Sequence, residues 1–306
     1  MSATFLIEQI LNGVQFGLML FLLAAGLTLV FGIMNMINLA HGSLYMIGAY
    51  LAATGLELTG SFVAAVAVAL AGTAAFGAAL ESGLLRRFYR RDHLSQVLAT
   101  FALILVLNDA VRMIWGPHAM TVSIPDAVSG PVELMTGFTY PAFRLVVIGV
   151  GLLVALGLYL LVVHTRIGMQ IRAGASNREM ANALGGNISA LFTAVFALGA
   201  ALCALAGAML GPLLAVQVGM GESIIILAFV VVVIGGIGSV RGALVGALVV
   251  GCVDTFGRAF LPTILRAVTS PVVADNLGPA LASMLIYIVM AAILFWKPRG
   301  LFPAHG

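Results

Sequence analysis

The sequence predicts an all-α integral membrane protein with about 8–9 transmembrane helices, some broken or re-entrant, built from two repeats. Three observations predict it. Of 306 residues, 62% are hydrophobic and only 8% charged, where a soluble domain carries about 25% charge. Charge-free runs are long: residues 9–56 hold no Asp, Glu, Lys or Arg, and one membrane span needs only about 20 apolar residues. Finally, GIMNMINLAHGSLYMIGA (32–49) and GGIGSVRGALVGALVVGC (235–252) echo one another. Each runs from Gly through a short polar break into a small-residue helix, as in transport folds made of two repeats with broken helices.

Taken in order, the first charge-free run divides at Asn35, Asn38 and His41 into span 1 (7–33) and span 2 (38–56). Span 3 covers 61–84 and is followed by RRFYRRDH (86–93). Span 4 covers 94–114 and stops at Trp115-Gly116-Pro117. The polar, Pro-containing stretch 115–140 reads as an extramembrane loop. Span 5 covers 141–163, and a basic interruption, TRIGMQIRAGASNREMANALGGN, follows at 165–187. Span 6 covers 188–210 and span 7 covers 222–236. Span 8 (241–261) is ended by Pro262, and span 9 (279–296) is bounded by Pro279 and Lys297-Pro298. The whole of 1–306 reads as one transmembrane domain with no separate cleavable signal, because no basic region precedes the first apolar run.

Nine spans put the termini on opposite faces. With the N-terminus outside, Arg86, Arg87, Arg90, Arg91, Arg166, Arg172, Arg178, Arg241, Lys297 and Arg299 fall inside, and Arg112, Arg144, Arg258 and Arg266 fall outside. That excess follows the positive-inside rule. Trp115 and Trp296 stand at span ends, as interfacial anchors do. The two cysteines, Cys203 and Cys252, lie in apolar runs and read as packing rather than a disulfide. The net charge of +3 is small and gives no footing for nucleic acid.

Within 165–187, SNREMANALGGN reads as a short helix. Ser176 or Asn177 is its N-cap, Glu179 sits in the first turn, and Gly185-Gly186 is the stop. Met180, Ala183 and Leu184 fall on one face at i, i+3, i+4 spacing, beside Arg172 and Arg178. Such a helix suits either the lipid surface or a groove on a soluble partner. Gly238, Gly242 and Gly246 stand at i, i+4, i+8 and predict close helix packing, as do the Gly13/Gly17 and Gly207/Gly211 pairs. Intramembrane polar residues are costly and mark cavities or helix contacts, which makes Asn12, Gln15, Asn35, Asn38, His41 and Ser43 candidates for a pathway. The alternative for Asn35, Asn38 and His41 is to satisfy the backbone freed at a helix break. Asp254/Arg258 and Asp109/Arg112 read as helix ion pairs.

Several classes are excluded or disfavoured. No GxxxxGK[ST] occurs, and the one lysine, Lys297, precedes proline, so the chain is not a P-loop ATPase. GGIGSVRG (235–242) lacks the βαβ context of a dinucleotide site. No Ser/His/Asp, Cys/His or metal-ligand cluster is visible, so no catalytic residue, metal or cofactor is assigned. The carboxylates Glu8, Glu57, Glu81, Asp109 and Glu222 fall near predicted span ends, which disfavours a proton relay.

GLTLVFGIMNMINLAHGSLYMIGAY (26–50), ANALGGN in the basic interruption and GGIGSVRGALVGA (235–247) resemble the permease subunits of branched-chain amino-acid ABC importers, the LivH type. The resemblance runs along essentially the whole chain. It implies an importer permease in a bacterial inner membrane, N-terminus periplasmic and C-terminus cytoplasmic. It implies as partners a homologous LivM-type permease, two ATPase subunits that bind ATP and Mg²⁺, and a periplasmic substrate-binding protein. The stretch around Glu179 to Gly185 matches the family's cytoplasmic coupling segment. Glu179 and Gly185 correspond in kind to the EAA loop of other importers, but Met180 interrupts its Glu-Ala-Ala run. Relatives that move urea or short amides share these motifs. A secondary amino-acid carrier and a facilitative channel for a small neutral solute are the readings from other classes.

Overall fold

The computed structural model describes residues 3–89, 91–183 and 185–302. Eleven helices are described: α1 (Ala3–Met34), α2 (His41–Thr59), α3 (Phe62–Gly83), α4 (His93–Trp115), α5 (Ala142–His164), α6 (Arg166–Ser176), α7 (Arg178–Ala183), α8 (Ile188–Leu210), α9 (Met220–Gly235), α10 (Val240–Leu265) and α11 (Pro271–Trp296). Seven of them, α1, α3, α4, α5, α8, α10 and α11, are long and apolar enough to cross a membrane. The protein is a multi-pass membrane protein. All nine expected spans are helices, but spans 2 and 7, now α2 and α9, fall short of that standard: α9 has 16 residues and α2 is the more polar.

α1 is apolar on every side and is accordingly the central helix. Leu18 to Ala25 are wholly buried, and α10, α8, α9 and α5 surround it. Small residues set these contacts. A Cβ on Gly17 would stand 2.8 Å from the Ala247 carbonyl oxygen, and one on Gly207 2.4 Å from that of Tyr45. In lipid, helices associate through such packing rather than through hydrophobicity.

Three expectations about boundaries change. Residues 115–140 are not a plain loop, because β1 (Pro131–Met135) and β2 (Phe138–Pro141) pair as an antiparallel hairpin. Its turn is made possible by Gly137 at φ 81°. Pro262 does not end α10, nor does Pro279 begin α11. A membrane helix tolerates proline where neighbours pack against the freed backbone. Here Gly278 receives the Pro262 ring, at 2.6 Å from where a Cβ would lie. Trp115 turns inward, donating to Thr54 Oγ1 at 2.7 Å and packing on Tyr50, while Trp296 is exposed.

Candidate functional site

The two short helices meet at their N-termini. Gly42 and Gly221 touch through backbone: a Cβ on either would lie 2.2–2.3 Å from the other's carbonyl oxygen. The depth of this junction follows from its neighbours. The His41 ring lies between Gly26 of α1 and Gly199 of α8, its Nε2 2.8 Å and its Cε1 3.3 Å from where their Cβ atoms would be. Gly199 is halfway along the 23 residues of α8, a full span. α2 and α9 therefore start near mid-bilayer and run to opposite sides, and their positive ends face each other.

The pathway candidates do not form one cluster. Asn12 is a fastening at the end of the bundle near the hairpin: its Oδ1 accepts from Tyr140 Oη at 2.9 Å and Arg144 Nη1 at 2.5 Å. Gln15 is buried one turn further in. Asn35 is exposed at the break after α1, in the left-handed region at φ 48°. Asn38, His41 and Ser43 are buried at the start of α2. Neither the Asn38 amide atoms nor the His41 nitrogens have a hydrogen-bond partner among the described residues, and the Leu23 carbonyl near His41 falls short of bonding geometry. Orphaned buried polar groups are rare in folded proteins, and two of them stand at this junction.

Sequence reasoning missed Glu222. It lies in the first turn of α9, accepts from Asn108 Nδ2 at 2.6 Å, and is exposed on this chain's surface. Although at a helix end, it is near mid-bilayer, because α9 starts there. An exposed carboxylate at that depth requires a polar neighbour beyond this chain or a wet passage. Charge census alone could not find it, since depth was read from span boundaries.

The other end of the bundle carries most of the basic residues. There α6 and α7 form two helices where one was expected at 176–185. Thr165 Oγ1 caps α6 through Gly168 N. Ser176 is the last residue of α6 rather than a cap. Asn177 is the cap of α7, accepting from Met180 N at 2.9 Å. Gly185 at φ 87° and the Gly186 N–H to Ala181 carbonyl bond close α7 as the glycines foretold. Met180 and Ala183 are exposed. Leu184 lies outside the described residues, as do the side chains of Arg178 and Glu179. Arg172 turns back from α6, and its Nη1 donates to the Val162 carbonyl.

α6 borders two hollows, one beside each chain break. A polar cleft of about 590 Å³ between the first break and the end of α6 is lined by Asn35, Asp92, Gln96, Ser176 and Asn177. Gln96 ties this region together, accepting from Ile37 N at 3.3 Å and donating to the Phe88 and Arg91 carbonyls. The Ser95 hydroxyl and backbone N–H donate to Asp92, the cap of α4, and hold its pKa below the usual carboxylate range. A second cavity, about 850 Å³, lies between α1, α5, α6 and the second break. The second break touches the last turns of α1, just before the first break: a Cβ on Gly32 would stand 2.7 Å from the Gly238 Cα, and Gly238 N donates to Thr28 Oγ1 at 3.1 Å.

The glycine triple is thus divided. Gly242 and Gly246 press on α9, where Cβ atoms would lie 2.1 Å from the Gly235 oxygen and 2.7 Å from the Val231 oxygen. Gly238 belongs to the break, at φ 81°, and packs on α1. The Asp254–Arg258 pair forms at 2.8 Å, and Asp109 lies 3.6 Å from Arg112. Glu81 is buried rather than merely terminal, bonded to Arg86, Tyr89 and Thr193. Among the described residues no group of three His, Cys, Asp or Glu could hold a metal.

The model of a family described as the permease component of the branched-chain amino acid transport system matches residues 9–294. The chain is 30% identical to the high-affinity branched-chain amino acid transport system permease protein BraD of Pseudomonas aeruginosa, across 96% of this chain and 95% of BraD. It is 31% identical to the corresponding permease protein LivH of Escherichia coli strain K12, across 88% of this chain and 92% of LivH. No solved structure matches it.

Proposed function

The chain belongs to the branched-chain amino acid transport permease family, and from that premise we propose that it is the membrane-spanning subunit of an ATP-driven importer for branched-chain or other apolar amino acids. A second, homologous permease completes the pathway, two cytoplasmic ATPases drive it, and a periplasmic binding protein delivers the cargo. The membrane is the bacterial inner membrane, with the basic end cytoplasmic, as the positive-inside rule orients it.

The observation that carries the mechanism is the seating of α6 and α7. Their connection, Ser176-Asn177, lines the cleft beside the first break, and α6 also borders the cavity beside the second. The exposed Met180 and Ala183 face away on α7. Asn177 to Gly185 form the surface that an ATPase cleft grips, while Arg172 serves the inner side of α6. ATP-driven closure moves α7, and α6 transmits that motion to both breaks, so the halves rock about the Gly32–Gly238 and Gly42–Gly221 contacts.

The paired N-termini of α2 and α9 favour a carboxylate, with Asn38, His41 and Ser43 beside them. Glu222 and Asn108 offer an acceptor for an ammonium group. A zwitterion with an apolar side chain has both poles met near mid-bilayer, at the surface a second permease would cover.

Reconstitution into proteoliposomes with the partner subunits tests this. Leucine uptake should require ATP, both ATPases and the binding protein. Uptake by the purified chain alone on an ion gradient would establish the carrier reading instead, and uptake indifferent to ATP and to gradients the channel reading. Titrating the binding protein with leucine, isoleucine, valine and urea separates apolar amino acids from urea or short amides.

A further inference from the structure

We infer that the cavity beside the second break is a binding site for an anionic phospholipid of the leaflet at the basic end. Its shape is the first argument. α1 lines it from Phe21 to Ile33, a rise of about 18 Å at ~1.5 Å per residue. The cavity therefore runs along the helices into the apolar part of the bundle. Its volume of about 850 Å³ is mostly walled by hydrocarbon, with Phe21, Leu29, Ala155, Leu156 and Leu244 contributing. A slot of that length suits an acyl chain better than a single amino acid.

Its mouth is the second argument. Arg172 and Arg241 line the end nearest the basic segments. Ion pairs among the described residues use Arg86, Arg112, Arg258 and Arg266, and among those residues neither mouth arginine has a carboxylate partner. Both are held in place by neutral groups. The Arg241 guanidinium carbon sits 5.1 Å above the Tyr159 ring centroid, and its Nη2 donates to Tyr159 Oη at 3.4 Å. Arg172 is tied to the Val162 carbonyl. Two positioned guanidinium groups above an apolar slot fit a phosphate headgroup, which arginine binds in bidentate fashion. Basic pockets between membrane helices on the cytoplasmic side bind such headgroups.

The chemistry argues against cargo in this slot. Its described lining includes no Asp or Glu, so the ammonium of an amino acid would have no counter-charge. A bound lipid would instead bridge α6, through Arg172, to the start of α10, through Arg241, bracing the helix that carries α7 against the second break.

The test uses the permease purified with its partner subunits in nanodiscs, read by native mass spectrometry. The probes are phosphatidylglycerol, phosphatidylethanolamine and inorganic phosphate. Phosphatidylglycerol should be retained about tenfold more than phosphatidylethanolamine, a difference of ~1.4 kcal/mol. Arg172→Gln with Arg241→Gln should abolish that preference, while Arg87→Gln, at an exposed basic residue outside the cavity lining, should keep it. Leu156→Trp, at a position that tolerates bulk because it is more than half exposed, should lower retention of both lipids by filling the slot. Equal retention of the two lipids would overturn the assignment, as would an unchanged preference in the double variant. Displacement of the lipid by inorganic phosphate or by leucine, or cross-linking of a Leu156→Cys chain to the second permease, would also overturn it.

Discussion

Gly42 and Gly221 share a backbone contact that leaves no room for a Cβ on either. The contact joins the start of α2 to the start of α9 and fixes two half-helices end to end near mid-bilayer. Gly42→Val or Gly221→Val must push them apart. Overpacking of this kind costs about 1–3 kcal/mol, so both variants should unfold at lower temperature in detergent. Gly149→Ala, where a Cβ meets nothing within 4 Å, should not lower the transition, since alanine favours the interior of a helix over glycine.

This junction shows where the sequence was legible and where it was not. Long, largely apolar stretches located all nine expected spans as helices, because the bilayer imposes length and hydropathy directly. Depth is another matter. α2 reads as a span since nothing in HGSLYMIGAY says that it begins beside Gly199, and only packing against α8 places it. The same blindness hid Glu222, whose helix starts inside the membrane. α6 escaped detection because Gly168 and Gly174, poor helix formers in isolation, occupy its buried face. Asn177 and Gly185 were legible, because capping chemistry is local. The division of Gly238 from Gly242 and Gly246 was not, because spacing cannot reveal that the helix begins only at Val240.

Glu81 anchors the basic end from inside. Its carboxylate is buried and bonded to Arg86 at 2.9 Å, Tyr89 at 2.6 Å and Thr193 at 2.7 Å, linking α3 to α8. Arg86→Met leaves that charge with hydroxyl partners alone. Losing a hydrogen bond to a charged group costs about 1.5–3 kcal/mol, reduced here because Arg86 is partly exposed. Chemical unfolding should show Arg86→Met as less stable than the wild type. Glu81→Gln with Arg86→Met should lose less than the sum of the single changes.

Glu222 is expected to matter for transport rather than for folding. Its carboxylate is exposed, so Glu222→Gln should leave stability and partner assembly intact while lowering leucine uptake about tenfold, equal to ~1.4 kcal/mol of lost stabilisation. Glu133→Gln, in the β hairpin, should transport normally. Uptake unchanged in Glu222→Gln would remove this residue from the pathway.

The Asn177 cap sets how firmly α7 is formed. Asn177→Ala removes the acceptor for Met180 N and should cost about 1 kcal/mol of local helix stability. Hydrogen exchange in residues 178–183 should quicken while α8 stays protected. In the reconstituted importer, ATP hydrolysis should persist with less leucine moved per ATP.

The central claim is that force enters this protein through α7, and Met180, 58% exposed on that helix, is the place to test it. A Met180→Cys chain, assembled with its partners and treated with a short bifunctional thiol reagent, should cross-link to an ATPase subunit and react only with reagents applied from the cytoplasmic side. Cross-linking to the binding protein, or labelling from the opposite side, would contradict the account.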